Sequence, residues 1–243
     1  MSDAVYDIPV LTTIISALFA FIVFRRWRGK PASTHLLWWA IGIFIYGLGT
    51  FAEGFTALFG WHEPIFKLWY IVGALLGGAP LAQGTVYLLL PKKTATRLAI
   101  GFVIAATICS IFVLLSPVDA SLASDKKLTG EVMDWTWVRA LAPFLNLYAF
   151  IFLVGGAAYS AYKFHEDRED RRMVANIFIA VGALLPGIGG SFTVFGHTEV
   201  LYVTEFVGII LIYIGYRFST EGRPAASRTS EGMNPGFQTA TPN

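Results

Sequence analysis

The sequence predicts an all-α polytopic membrane protein, a bundle of seven transmembrane helices, on three observations. Apolar residues gather into seven long stretches, at 7–25, 36–60, 64–90, 96–116, 138–162, 172–195 and 199–219. Each is near the roughly 20 residues of helix that cross a hydrocarbon core. Charged residues make up 14% of the chain against 55% hydrophobic, and they fall between the stretches, so the polar faces that soluble helices need are missing. Finally, basic residues alternate between successive connections. One side collects Arg25, Arg26, Arg28 and Lys30, then Lys92, Lys93 and Arg97, then Lys163, Arg168, Arg171 and Arg172, then Arg217, Arg223 and Arg228. The other side holds Lys67, Lys126, Lys127 and Arg139. Basic flanks are retained in the cytoplasm, so the N-terminus is expected outside and the C-terminus inside, with a plasma membrane as the site of residence.

The first stretch follows an acidic segment, Met1–Asp7, that lacks the basic start of a cleavable signal, so it is expected to stay as a membrane helix. Pro31 with Ser33 and Thr34 closes the first connection and caps the second helix. Gly60-Trp61-His62-Glu63-Pro64 makes a tight hairpin, with Pro64 opening the third helix. Pro91-Lys92-Lys93 ends that helix, and Cys109 fills space in the fourth. Residues 117–137 form the one long connection, a spacer or a lid, closing on Asp134-Trp135-Thr136-Trp137, a composition suited to the interface. The fifth helix ends in a mixed charged loop, Lys163 to Arg172. From residue 220 to 243 the chain turns rich in Ser, Thr, Gly and Pro, which reads as a disordered cytoplasmic tail after the domain of residues 1–219.

Glycine and proline mark two helices. The third carries Gly73, Gly77, Gly78, Pro80 and Gly84, and the sixth Gly182, Pro186, Gly187, Gly189 and Gly190. Small residues let helix backbones approach, and Pro80 and Pro186 are expected to kink their helices. Both helices contain the same pentapeptide, Val72–Leu76 and Val181–Leu185, in opposite orientation.

Polar groups inside the stretches are the functional candidates. Glu53 in the second and Glu205 in the seventh lie at equal depth, roughly 10 Å from the outer ends at 1.5 Å per residue. An ionisable group at such depth faces the bundle interior or a partner. Lys67 and Tyr70 on the third helix, and Arg139 and Asn146 on the fifth, share the outer half; Lys67 and Arg139 are the candidate cations for the carboxyls. Gln83 and Tyr46 lie deeper, and Asn176 nearer the inner end. The four histidines are scattered without metal-ligand spacing. No phosphate loop or catalytic constellation is present, so the chain leans away from an enzyme. The net charge of +2 is spent on topology, which leaves no surface for nucleic acid.

Seven helices with short loops and an outer N-terminus resemble the microbial rhodopsins. That family attaches retinal to a lysine of its last helix, and Glu199 to Arg217 contains none, so neither covalent retinal nor another cofactor is expected. The hairpin followed by Phe66-Lys67-Leu68-Trp69-Tyr70, and Tyr87-Leu88-Leu89-Leu90-Pro91 beyond it, resemble the seven-helix sensory regions of bacterial histidine kinases. That resemblance covers little more than the third helix and implies signalling to a separate partner. The residues themselves point to an outer-half polar pocket that binds or translocates a small ion, proton or polar solute, with a sensory or scaffolding module as the alternative. The partners expected are the bilayer, that ion or solute, and a membrane protein or second copy of the chain.

Overall fold

The computed structural model describes residues 3–124, 127–193 and 195–221; the predicted tail lies outside them apart from its first two residues, which extend the last helix. The described residues are helical, with only two isolated β-bridges in one loop. A 3-10 turn, Asp3–Asp7, leads into α1 (Ile8–Arg28), followed by α2 (Thr34–Phe59), α3 (Glu63–Leu89), α4 (Lys92–Leu115), α5 (Thr136–Glu166), α6 (Asp170–Thr193) and α7 (Thr198–Glu221). All seven are long and apolar enough to cross a membrane, which is the build of a multi-pass membrane protein. Their outward faces carry large apolar residues, as on α4 with Ile100, Ile104, Ile108 and Leu115 exposed. The connections divide between two ends, called here the N-terminal face and the C-terminal face.

The helices close a ring in which α1 lies between α2 and α7, α2 meets α3, α3 meets α5, and α6 packs on both α5 and α7. Helix α4 stands beside α3 and reaches α5 through the stacked rings of Phe102 and Tyr148, 5.9 Å apart. Inside a bilayer no hydrophobic gain separates helix contact from lipid contact, so close backbone approach must supply attraction. Glycines do this in pairs spaced two turns apart. Gly42 and Gly49 of α2 face Leu81 and Gly73 of α3, while Gly47 and Gly54 on another side of α2 face Ser16 and Val10 of α1. Between α6 and α7 the approach is closest. A Cβ at Gly182 would sit 2.7 Å from the Gly208 carbonyl oxygen, and one at Gly215 would sit 2.5 Å from that of Ala175. Gly187 and Gly190, also singled out by the sequence, face open space.

The two proline-bearing helices behave differently. Pro186 sits inside an unbroken α6. Helix α3 is interrupted: Glu63–Trp69 is α-helical, Tyr70–Leu75 is π-helical, and regular helix resumes at Ala79–Leu89. Gly77 takes the left-handed conformation at φ 43°, and Pro80 falls in the first turn of the resumed helix, where its missing N–H costs nothing. The Ala74 carbonyl, at the end of the π segment, accepts from Asn146 Nδ2 on α5 at 3.0 Å. Helix α5 has a matching π segment, Phe150–Gly155, after a turn at Ala140 and Leu141. A π turn shifts the register of every side chain beyond it and is common at functional positions.

The long connection is packed, in contrast to a spacer. Val118 bridges Met133, the Asp119 N–H reaches the Val132 carbonyl at 2.8 Å, and Leu128, Val132 and Met133 are buried against the helices. Gly130 rests on the Tyr70 ring, and Lys127 Nζ donates to the Gly196 carbonyl, tying the loop to the α6–α7 turn. Asp119 lies outside the helices, and the Ser121 hydroxyl and N–H that it accepts hold its carboxyl below the ordinary value.

Candidate functional site

Glu53 and Glu205 meet. Each lies about two turns inside the N-terminal-face end of its helix, a depth of roughly 10 Å. Their carboxyls come within hydrogen-bonding reach of each other between α2 and α7. Glu53 is 2% exposed, and its Oε1 accepts from Trp69 Nε1 at 2.9 Å. The Oε2 atoms of both residues are buried with no protein donor. Ionised carboxylates only accept, so contact between two of them requires a hydrogen carried by the pair itself. A single proton shared between them would leave the pair with charge −1 and engage the otherwise unpaired oxygens. Two bare carboxylates at this separation in a low-dielectric seam would repel strongly.

Local sequence explains how the pair is reached. Gly49 of α2 lies against Gly73 of α3, which brings α3 near enough for the Trp69 indole to span to Glu53. Trp69 is the last residue before the π segment. Three tyrosines complete the surroundings. The Tyr46 hydroxyl donates to the Glu205 backbone carbonyl at 2.9 Å, on the side toward the C-terminal face. Tyr202 is one turn before Glu205, fully buried, within electrostatic reach of both carboxyls. Tyr6, in the leading 3-10 turn, sets its ring edge against Tyr202, with centroids 6.4 Å apart.

The remaining predicted residues lie elsewhere. Lys67 pairs with Glu63 at 2.9 Å and donates to the Leu114 carbonyl at 3.0 Å. Arg139 is half-buried beside Tyr70 and Gly130, under the long loop. Neither Lys67 nor Arg139 forms an ion pair with Glu53 or Glu205. The expectation of a cation partner therefore gives way to two carboxyls partnering each other. Gln83, fully buried, belongs to a second polar cluster, donating to the Ala95 carbonyl at 3.0 Å and accepting from the Tyr148 hydroxyl. That cluster joins α3, α4 and α5. Asn146 closes the break in α3, and Asn176 bonds within its own helix to the Arg172 carbonyl. Among the described residues no three His, Cys, Asp or Glu side chains gather as a metal site.

Sequence reasoning singled out both carboxyls but left aside Trp69, Tyr202 and Tyr6. The spacing of Tyr202 and Glu205, three apart on one helix face, was the available signal. Nothing local marks Trp69, because its reach depends on the α2–α3 approach. Comparison with protein-family models, with curated proteins and with solved structures finds no match.

Proposed function

We propose that this is a plasma-membrane protein, N-terminus outside and C-terminus cytoplasmic, that binds a proton at the Glu53–Glu205 pair and carries it, or a small cation exchanged for it, across the bilayer. The observation that supports this reading is the approach of the buried Glu53 carboxyl to that of half-buried Glu205, with neither Lys67 nor Arg139 paired to them. A structural lock would be satisfied by an apolar contact at lower cost, since burying charge in a membrane helix costs several kcal/mol. The orientation rests on the fourteen basic residues of one side against four on the other.

The test is proton flux in liposomes containing the purified protein and an entrapped pH-sensitive dye. Wild-type protein is expected to dissipate an imposed pH gradient, and Glu53→Gln and Glu205→Gln, which keep shape and remove the titrating group, are expected to abolish that flux. Equal flux in wild type and both variants would overturn transport through the pair. A second reading, a sensory or scaffolding module acting on a separate partner, is favoured by the position of Glu205 on α7, the helix that runs from the pair to the C-terminal face. It predicts a pH-dependent change in Trp69 fluorescence with no flux at all.

A further inference from the structure

We infer that Tyr202 and Tyr6 form the route by which a proton passes between the N-terminal face and the Glu53–Glu205 pair. The inference rests on the reading of that pair as a proton site, and it names the groups that serve it.

The surroundings of the pair leave few side chains able to relay a proton. Trp69 touches Glu53, but an indole N–H only donates and cannot accept the next proton. The Tyr46 hydroxyl is engaged with a backbone carbonyl rather than with a carboxyl. Lys67 and Arg139 are held by other partners or lie away from the pair. Tyr202 remains. Its phenol both donates and accepts, it is 1% exposed, and it lies one helical turn from Glu205 on the side toward the N-terminal face. Beyond it comes Tyr6, half-buried, whose ring meets Tyr202 edge-on at 70°. The 3-10 turn that holds Tyr6 packs against α1, α2 and α7, so it covers the seam directly above the pair. The sequence of polar groups from the surface inward is therefore Tyr6, Tyr202, then the carboxyls.

Transfer along this row balances. A proton arriving at the Tyr6 oxygen releases the Tyr6 hydrogen to Tyr202, whose own hydrogen passes to the ionised carboxylate. Each tyrosine ends neutral, one O–H bond has formed and one broken at each, and rotation of the hydroxyls resets the row. The pair alone changes charge.

The experiment follows the carboxylic-acid carbonyl stretch of the full-length protein by infrared spectroscopy after transfer from H2O to D2O. Glu53→Gln identifies the band of the pair. Tyr202→Phe and Tyr6→Phe keep the rings and remove the hydroxyls, and each is expected to slow exchange of that band by roughly a hundredfold, the scale of a lost positioned proton donor. Tyr159→Phe, on an exposed site of α5, should exchange like wild type. Unchanged exchange in either Tyr202→Phe or Tyr6→Phe overturns the route. If Tyr202→Phe fails to fold, Tyr6→Phe, at the half-buried turn, decides alone. A wild-type protein with no band removed by Glu53→Gln would instead refute the proton pair itself, so the two failures are distinct.

Discussion

Glu53 is held by an indole as well as by its carboxyl partner. Trp69 donates to the Glu53 carboxyl from α3, and a hydrogen bond of that kind contributes about 2 kcal/mol when its acceptor is charged. Trp69→Phe should therefore lower thermal stability in detergent by about that amount and shift the carboxyl stretch of the pair; a variant with wild-type melting and an unmoved band would show the bond to be incidental. The equal depth of Glu53 and Glu205 was legible in the sequence, because depth needs only a helix end and a residue count. Their direct contact was not. Sequence reasoning assigned Lys67 and Arg139 as neutralising partners by sharing a half of the membrane, yet Lys67 has Glu63 four residues away on its own helix, and an i,i+4 pair forms without any tertiary approach.

Among the elements, α6 and α7 approach each other closely along their backbones. A methyl at Gly182 has to enter the space of the Gly208 carbonyl, while one at Gly190 meets nothing within 4 Å. Gly190→Ala should leave the protein folded or raise stability by about 0.5–1 kcal/mol, the helix-propensity gain of alanine. Gly182→Leu should sharply reduce folded, monodisperse yield on size-exclusion chromatography; equal yields for the two variants would remove the seam from the account. The interrupted α3 gives a second case. Asn146→Ala leaves the Ala74 carbonyl without its donor and should cost about 1–3 kcal/mol of stability, a loss read from thermal unfolding. The shared pentapeptide shows why such features escape a sequence reading. Val72–Leu76 falls in the π segment and its exit, Val181–Leu185 in continuous helix. Identical residues take different backbones, and in α3 the Ala74 carbonyl finds Asn146, a partner contributed by another helix.

At the scale of the whole molecule, hydropathy alone located all seven helices, and the structure mainly lengthens them, α4 beginning at Lys92 and α5 running to Glu166. Basic and acidic side chains at those ends continue the helix into the interface, which apolar counting cannot detect. The connection between α4 and α5, which the sequence leaves open as a spacer or a lid, was less legible. Its polarity suited a spacer, but Leu128, Val132 and Met133 are spaced to turn inward once the bridge at Val118 folds the loop back. The topology is tested by labelling intact cells: a tag before Met1 should be reached from outside and one after Asn243 should be protected. The reverse pattern would invert the proposed direction of every helix.

The depth of the carboxyl pair has an electrical consequence. Roughly 10 Å of a hydrocarbon core about 30 Å thick separates it from the N-terminal face. In the proposed proton-site reading, a proton entering from that side crosses about a third of the membrane voltage before it binds. Moving a full charge through 100 mV is worth about 2.3 kcal/mol, so occupancy of the pair is biased by roughly 0.8 kcal/mol per 100 mV. In the proposed orientation and proton-site reading, with that face outside and the cell interior negative, hyperpolarisation should fill the pair and depolarisation empty it, at constant external pH. Two glutamates that read in sequence as a local chemical feature would then respond to the energised state of the whole membrane.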